Sequence, residues 1–178
     1  MQAARKLIHI IQGEFHVSDD PAIELATVLG SCIAACLHDP VRRIGGMNHF
    51  LLPGNDPKAG KNVKYGAHSM EQLINALLRA GAQRSRLQAQ LFGGGNVVAG
   101  LSGIGERNAQ FARGFVRDEG LMLVGEDLGG KTGRRLRFVP ATGEARVMRF
   151  ETIEPAPRPV APPLPPRQAV TPGAVDLF

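Results

Sequence analysis

Hydrophobic and polar positions follow a helical period in two stretches of the chain. Residues 68–82 read HSMEQLINALLRAGA, and their apolar positions recur at the spacing of one helix face: Met70, Leu73, Ile74, Leu77 and Leu78. Ser69 and Gln72 have the spacing of a capping box, which predicts the start of this helix, and Gly81 is placed to end it. Residues 106–120, ERNAQFARGFVRDEG, are also amphipathic and end at a glycine. The sequence therefore predicts at least two packed helices.

Shorter alternating or apolar runs predict strands. They comprise a first strand in MQAARKLIHIIQGEFHV at the start of the chain and further runs at 32–38, 45–52, 86–92, 121–128, 135–140 and 145–150. The last two runs are separated by ATGE, which predicts a hairpin. Strands in this number beside two helices predict an α/β domain of α+β type, a layered sandwich with a mixed, largely antiparallel sheet.

The domain boundary is predicted from proline content. Residues 154–178 hold eight of the thirteen prolines and show neither a helical nor a strand period. We expect one folded domain over residues 1–153 and a disordered Pro-rich tail after it. A docking peptide that uses Leu177 and Phe178 as anchors is the alternative for the tail.

Composition and charge narrow the classes of function. Of the 178 residues, 43% are hydrophobic, yet no apolar run approaches the roughly 20 residues of a membrane-spanning helix. The start of the chain lacks the pattern of a secretory signal, and the two cysteines are too close in sequence to form a useful disulfide, so we expect a cytoplasmic protein. The net charge is +5, but one Tyr, no Trp and scattered basic residues argue against direct nucleic-acid binding.

A hairpin prediction singles out one cysteine and one histidine. Asp39 and Pro40 suit the first two positions of a type I turn, which predicts a four-residue loop between the runs at 32–38 and 45–52. With Asp39 to Arg42 as the loop, Cys32 lies directly opposite His49. Opposed residues have Cβ atoms about 4.5 to 5.5 Å apart, so the thiol and the imidazole could meet.

This pair has the chemistry of a nucleophile and its base. An imidazole can take the proton of a thiol and stabilise the reactive thiolate. Gly30 and Ser31 would let the backbone turn sharply and present N–H groups to a developing oxyanion. A third group usually orients the base; Thr27 is the nearest hydroxyl upstream of the Gly30–Ser31 turn, and a backbone carbonyl of the same segment could also serve.

Other interpretations of these residues remain open from the pattern alone. A cysteine in a strand is commonly a small buried hydrophobe, and this holds for Cys32 and more strongly for Cys36. Cys32, Cys36 and His38 span about 20 Å of an extended strand, too far to converge on one metal ion. The glycine-rich residues 92–108 lack the ending of a phosphate-binding loop, so we expect a flexible loop near a site.

Six segments together resemble the chemoreceptor glutamine deamidases, the CheD family. In chain order they are TVLGSCIAACLHDP, GGMNHFLLP, the Tyr65–Gly66 pair, RLQAQLFGGGN, IGERN and GEDLGGKTGR, within residues 7–150. The resemblance implies hydrolysis of glutamine side chains to glutamate in chemotaxis receptors, without a metal or cofactor. It further implies Cys32 as nucleophile, His49 as general base and Thr27 as third member, in a fold related to bacterial glutamine-deamidating toxins.

Two other functions remain possible for the same sequence. The family resemblance also implies a CheC-type phosphatase as a partner, so the chain could be an adaptor that binds this phosphatase or a receptor without catalysis. A cysteine protease or transamidase would need the same thiol and imidazole. The presence of both Cys32 and His49 favours an enzyme over an adaptor.

Overall fold

The structure is a computed structural model that describes residues 4–52, 59–97 and 103–151. Within those ranges the chain forms two α-helices, α1 (Ala59–Arg79) and α2 (Ile104–Asp118). The same ranges hold nine β-strands: β1 (Lys6–His9), β2 (Phe15–Ser18), β3 (Ile23–Leu29), β4 (Ile33–Asp39), β5 (Ile44–Phe50), β6 (Gln88–Gly93), β7 (Met122–Leu128), β8 (Thr132–Val139) and β9 (Glu144–Glu151).

The strands form two sheets instead of one. The four-stranded sheet has the order β1-β3-β8-β9, and the five-stranded sheet has the order β2-β5-β4-β6-β7. The β1–β3 and β6–β7 pairs are parallel, and the other pairs are antiparallel. The predicted class is confirmed: this is a layered α+β fold with mixed, largely antiparallel pairing.

Two apolar layers lie on opposite faces of the five-stranded sheet. One layer packs that sheet against both helices and includes Phe50, Leu73, Leu77 and Ala112. The other packs it against the four-stranded sheet and is formed by Ile10, Leu25, Leu29, Ala34, Cys36, Met47, Phe92, Leu136 and Phe138. The period-two alternation of β4 and β5 supplies side chains to both layers, which explains why every residue of these two strands is buried.

The first helix starts earlier than its pattern predicts. It begins at Ala59, so Ser69 lies well inside it and the capping-box prediction is wrong. The sequence pattern misses the first part of this helix because Gly66 lies in it, and glycine is unfavourable in a helix interior. A Cβ at this position would lie 2.6 Å from side-chain atoms of both Leu52 and Phe111, so close packing requires glycine there. The predicted end is confirmed by Gly81, which follows the helix with φ of 100°.

The start of the chain forms two strands instead of the single predicted strand. β1 joins the four-stranded sheet and β2 joins the five-stranded sheet. Between them the chain turns at residues 11–14, where Gly13 has φ of 90°. Because β1 pairs with β3 and β2 pairs with β5, this turn bridges the two sheets at one edge of the fold.

The hairpin between β4 and β5 is confirmed, but its predicted register is wrong by two residues. Asp39 pairs with Ile44, so the loop runs from Pro40 to Arg43, and Ala34 instead of Cys32 lies opposite His49. The loop moves because the Asp39 carboxylate accepts hydrogen bonds from the backbone N–H groups that follow it, and Arg43 takes up a left-handed φ of 56°. A shift of two residues keeps every side chain on its predicted face.

Some predictions concern parts of the chain that the structure does not describe. The Pro-rich tail at 154–178 and the middle of the glycine-rich segment, residues 98–102, lie outside the described residues. Neither helix in the described ranges is long and apolar enough to cross a membrane.

Candidate active site

His49 lies at the interface of the two sheets and contacts Thr27. His49 belongs to β5, and Thr27 belongs to β3 of the other sheet. The Thr27 Oγ1 atom lies 2.9 Å from His49 Nδ1 and donates a hydrogen bond to the carbonyl of Ile10 at 2.7 Å. That carbonyl also lies 3.4 Å from His49 Nδ1. The structure therefore brings together His49 and Thr27, two of the three predicted site residues.

The contacts of Thr27 fix the tautomer of His49. The hydroxyl proton of Thr27 points to the Ile10 carbonyl, so its oxygen can only accept from the imidazole. The proton of a neutral His49 is consequently on Nδ1, and Nε2 carries a lone pair. Nε2 is buried and has no hydrogen-bond partner among the described residues. Burial lowers the pKa of His49, although the nearby Ile10 carbonyl partly offsets this. The neutral ring therefore presents an acceptor that no described residue occupies.

Cys32 immediately precedes β4, on the same side of the hairpin as His49. It lies two residues before Ala34, whose partner is His49, and it packs against the same apolar layer as Ala34, so the cysteine and the histidine lie on one face of the hairpin. The Cys32 carbonyl accepts a hydrogen bond from Gly94 N–H at 2.8 Å. A Cβ at Gly93 would lie 2.0 Å from that same carbonyl, so only glycine fits beside Cys32.

The thiol of Cys32 is half-buried and protonated at rest. Burial raises its pKa above that of an ordinary cysteine, and a hydrogen bond from its own backbone N–H only partly offsets the rise. The thiol donates to the Oε1 atom of Gln12 at 3.8 Å. Because the pKa of Cys32 is raised while that of His49 is lowered, the resting pair is a neutral thiol and a neutral imidazole.

Asn108 connects the segments that carry the two reactive groups. This fully buried residue of α2 donates from Nδ2 to the Ser31 carbonyl at 2.8 Å. Its Oδ1 accepts from the N–H of Leu52 at 3.1 Å. Ser31 adjoins Cys32, and Leu52 follows the strand of His49, so Asn108 holds the two segments in a fixed relation.

The glycine-rich segments support the turn before Cys32. The N–H of Gly95 donates to the Gly30 carbonyl at 2.9 Å, and Gly129 N–H donates to the Gly93 carbonyl at 2.9 Å. A Cβ at Gly105 would lie 2.5 Å from the carbonyl oxygens of Gly94 and Gly95, so the start of α2 needs glycine to approach this closely. The expected position of this loop beside the site is confirmed for residues 93–97.

Cys36 has a different environment from Cys32. It is 1% exposed, pairs with Met47 and belongs to the apolar layer between the sheets. Complete burial raises its pKa well above the ordinary value. Cys36 is a core residue, in agreement with its interpretation from the sequence.

The sequence did not reveal three residues of this site. Ile10 contributes a backbone carbonyl, which has no signature in the amino-acid sequence. Gln12 lies in a turn without hydrophobic period. Asn108 belongs to the IGERN segment, so the family motif pointed to it without giving its role.

Comparison with known proteins identifies relatives over most of the chain. Residues 51–149 match the family model described as CheD chemotactic sensory transduction. The protein named probable chemoreceptor glutamine deamidase CheD of Sinorhizobium medicae (strain WSM419) is 53% identical over 156 residues, which cover 86% of this chain and 85% of that protein. The protein of the same name from Caulobacter vibrioides (strain NA1000 / CB15N) is 51% identical over 177 residues, with 96% and 92% covered.

Proposed function

Because this chain belongs to the CheD family, we propose that it hydrolyses glutamine side chains of chemoreceptors to glutamate with Cys32 as the nucleophile. In this protein-glutamine glutaminase, His49 is the general base and Thr27 orients it. One observation carries the proposal: Thr27 anchors Nδ1 of His49 while Nε2 stays unpaired among the described residues, and Cys32 lies on the same face of the hairpin. Such an arrangement is that of a base, its orienting group and a nucleophile.

The first half of the reaction forms a thioester. His49 Nε2 takes the proton of the Cys32 thiol as sulfur attacks the carboxamide carbon of the substrate glutamine. The tetrahedral intermediate collapses by breaking the bond between carbon and nitrogen, and His49 returns the proton to the leaving nitrogen, which departs as ammonia. Proton transfer accompanies attack because the resting thiol is neutral.

The second half of the reaction hydrolyses the thioester. His49 Nε2 takes a proton from water, and the hydroxide attacks the thioester carbon. The bond between carbon and sulfur breaks, the thiolate recovers the proton from His49, and glutamate is released. All atoms come from the substrate, water and these side chains, so the proposed cycle uses no cofactor.

The turn before Cys32 supplies donors for the oxyanion. The carbonyls of Gly30 and Ser31 accept bonds from Gly95 and Asn108. In a trans peptide the N–H of each residue points away from the preceding carbonyl. The N–H of Ser31 therefore points away from Gly95 and that of Cys32 away from Asn108, so both are available to stabilise negative charge on the carboxamide oxygen.

Mass spectrometry of a receptor fragment tests the proposed activity. The purified protein is incubated with a chemoreceptor cytoplasmic fragment in water enriched in heavy oxygen. We expect the mass shift of an amide nitrogen replaced by labelled oxygen at particular glutamines, with ammonia released. An unchanged fragment would contradict the proposal. A cleaved backbone would indicate a protease, and an incorporated amine a transamidase.

Location and further partners are also proposed from the family alone. We infer that the protein acts in the cytoplasm, where the receptor domains that it modifies are expected. A CheC-type phosphatase is a proposed second partner, and an adaptor without catalysis is the alternative function. Co-purification with such a phosphatase tests the partner, and the receptor assay above separates enzyme from adaptor.

A further inference from the structure

The side chain of Gln12 occupies the approach to the nucleophile. Gln12 is exposed, and its Oε1 accepts the hydrogen bond of the Cys32 thiol at 3.8 Å. A substrate carbon that reacts with this sulfur must come within about 3 to 3.5 Å of it. The substrate carboxamide therefore has to enter beside the carboxamide of Gln12.

The turn that carries Gln12 is tied to the base. Gly13 N–H donates to the carbonyl of His49 at 2.8 Å, and His49 N–H donates to the carbonyl of Glu14 at 3.1 Å. The Glu14 carboxylate closes the turn by accepting from Ile11 N–H at 3.1 Å. The backbone on either side of Gln12 is therefore fixed to the site, which keeps the Gln12 side chain within reach of Cys32.

The geometry points to Gln12 as a specificity-determining residue that distinguishes the glutamine substrate from the glutamate product. This inference rests on the proposed function. The Oε1 atom that faces Cys32 can accept an N–H of the substrate carboxamide, and the Gln12 amide group can donate to the substrate carbonyl. The product carboxylate has no N–H to donate to Oε1, so it can form a hydrogen bond only with the amide group of Gln12 and loses one of the two bonds. Gln12 thus favours binding of the amide and release of the carboxylate.

A binding experiment tests this role without turnover. Cys32→Ser protein, with Gln12 or with Gln12→Met, is titrated with two forms of the receptor cytoplasmic fragment, one with glutamine and one with glutamate at the modified positions. Methionine keeps the length of the side chain and removes its polar groups. We expect the protein with Gln12 to prefer the amide form by about tenfold, the effect of about one hydrogen bond, and Gln12→Met to bind both forms about equally. Ile11→Ala, at an exposed neighbouring position, is the control and should keep the preference.

Three results would overturn the inference. The first is an equal preference for the amide form in the proteins with Gln12 and with Gln12→Met. Gln12→Met could bind the amide form more tightly, which would make Gln12 a competitor of the substrate. Conversion of Gln12 itself to glutamate in the wild-type protein, detected by mass spectrometry, would make it a substrate. If the wild-type protein does not deamidate the receptor fragment, the proposed function is refuted. The ratio of affinities for the amide and carboxylate forms can still be measured in that case.

Discussion

The polar side chains at the two ends of the β4–β5 hairpin differ in how far their hydrogen bonds are satisfied. At the closed end, His38 Nδ1 lies 2.9 Å from the Pro140 carbonyl, and the buried Asp39 carboxylate binds the guanidinium of Arg86 and the N–H of Gln83. At the open end, the Cys32 thiol donates a weak hydrogen bond to Gln12, and Nε2 of His49 has no partner among the described residues.

This difference separates groups that stabilise the fold from groups that can react. A buried polar group is stabilising when its hydrogen bonds are complete. A buried polar group that lacks a hydrogen-bond partner costs free energy of folding. That cost is tolerated at a functional site, where a substrate supplies the missing partner. Each of the following predictions tests one end of the hairpin against the other.

Removal of the imidazole at the open end should have the largest effect after loss of the Cys32 thiol itself. His49→Gln is expected to lower kcat/KM for receptor deamidation at neutral pH by about 10³-fold, a typical contribution of a general base. Because burial raises the pKa of Cys32, the residual rate should grow as the pH is increased and thiolate forms without the base. Rates measured at several pH values check this.

The matched control is the histidine at the closed end. His38→Gln should leave the rate of the folded protein unchanged, because the hydrogen bond of His38 is to the backbone carbonyl of Pro140 at the closed end. Equal loss of activity in both variants would contradict the assignment of His49 as the base.

Neutralisation of the closed-end carboxylate should affect stability and not activity. The hydrogen bonds from Arg86 hold the pKa of Asp39 well below its usual range. Asp39→Asn should lower the free energy of unfolding by about 2 kcal/mol, the value for charge-assisted hydrogen bonds at a buried carboxylate. Urea denaturation at pH 7 measures the loss.

The sign of the pH dependence gives a second check on Asp39. A carboxylate with a depressed folded pKa contributes stability above its unfolded pKa of about 3.9, and this contribution is lost as the pH falls toward the folded pKa. The gap between wild type and Asp39→Asn should therefore narrow in acid. A gap that stays constant with pH would contradict the role of the charge.

Loss of the hydroxyl that anchors the base should have an intermediate effect. Thr27→Val keeps the shape of the side chain but removes the acceptor of the His49 Nδ1 proton. We expect kcat to fall by about tenfold, or about 1.4 kcal/mol, while KM changes little. Thr27→Ser, which retains the hydroxyl, should restore most of the rate. Equal rates for valine and serine would exclude the orienting role of Thr27.

Among the variants expected to lower the rate, Asn108→Asp should have the smallest effect. Aspartate would face the Ser31 carbonyl with an oxygen instead of an N–H donor and loosen the segment before Cys32. We expect a several-fold loss in kcat at unchanged KM, about 1 kcal/mol, in addition to reduced stability. Kinetics at a temperature where the variant is fully folded separate the two effects, and a variant with reduced stability but normal kcat would make Asn108 purely structural.

The sequence predicted most elements because their periods are clear, and its errors have physical causes. The hairpin register was wrong by two because the hydrogen bonds of Asp39 place the loop one residue later along the chain. The prediction that Cys32 and His49 lie on one face holds nevertheless, since a two-residue shift preserves the face. The true start of α1 was hidden by Gly66, which only tertiary packing explains.

The sequence predicts only those parts of the candidate site whose chemistry depends on the type of a side chain. Cys32, His49 and Thr27 carry a thiol, an imidazole and a hydroxyl, and the family motifs draw attention to the first two. The roles of the Ile10 carbonyl and the Gln12 carboxamide depend on a turn that bridges two sheets. No local pattern encodes that long-range arrangement, so these contacts required the structure.

The two cysteines provide the most direct test of the central claim, which is that the thiol at the open end is the nucleophile. Receptor cytoplasmic fragment is incubated with wild type, Cys32→Ala and Cys36→Ala, each shown to be folded, and conversion of glutamine to glutamate is followed by mass spectrometry. We predict conversion by wild type and by Cys36→Ala, and none above background by Cys32→Ala. Conversion by Cys32→Ala at the wild-type rate would contradict the account.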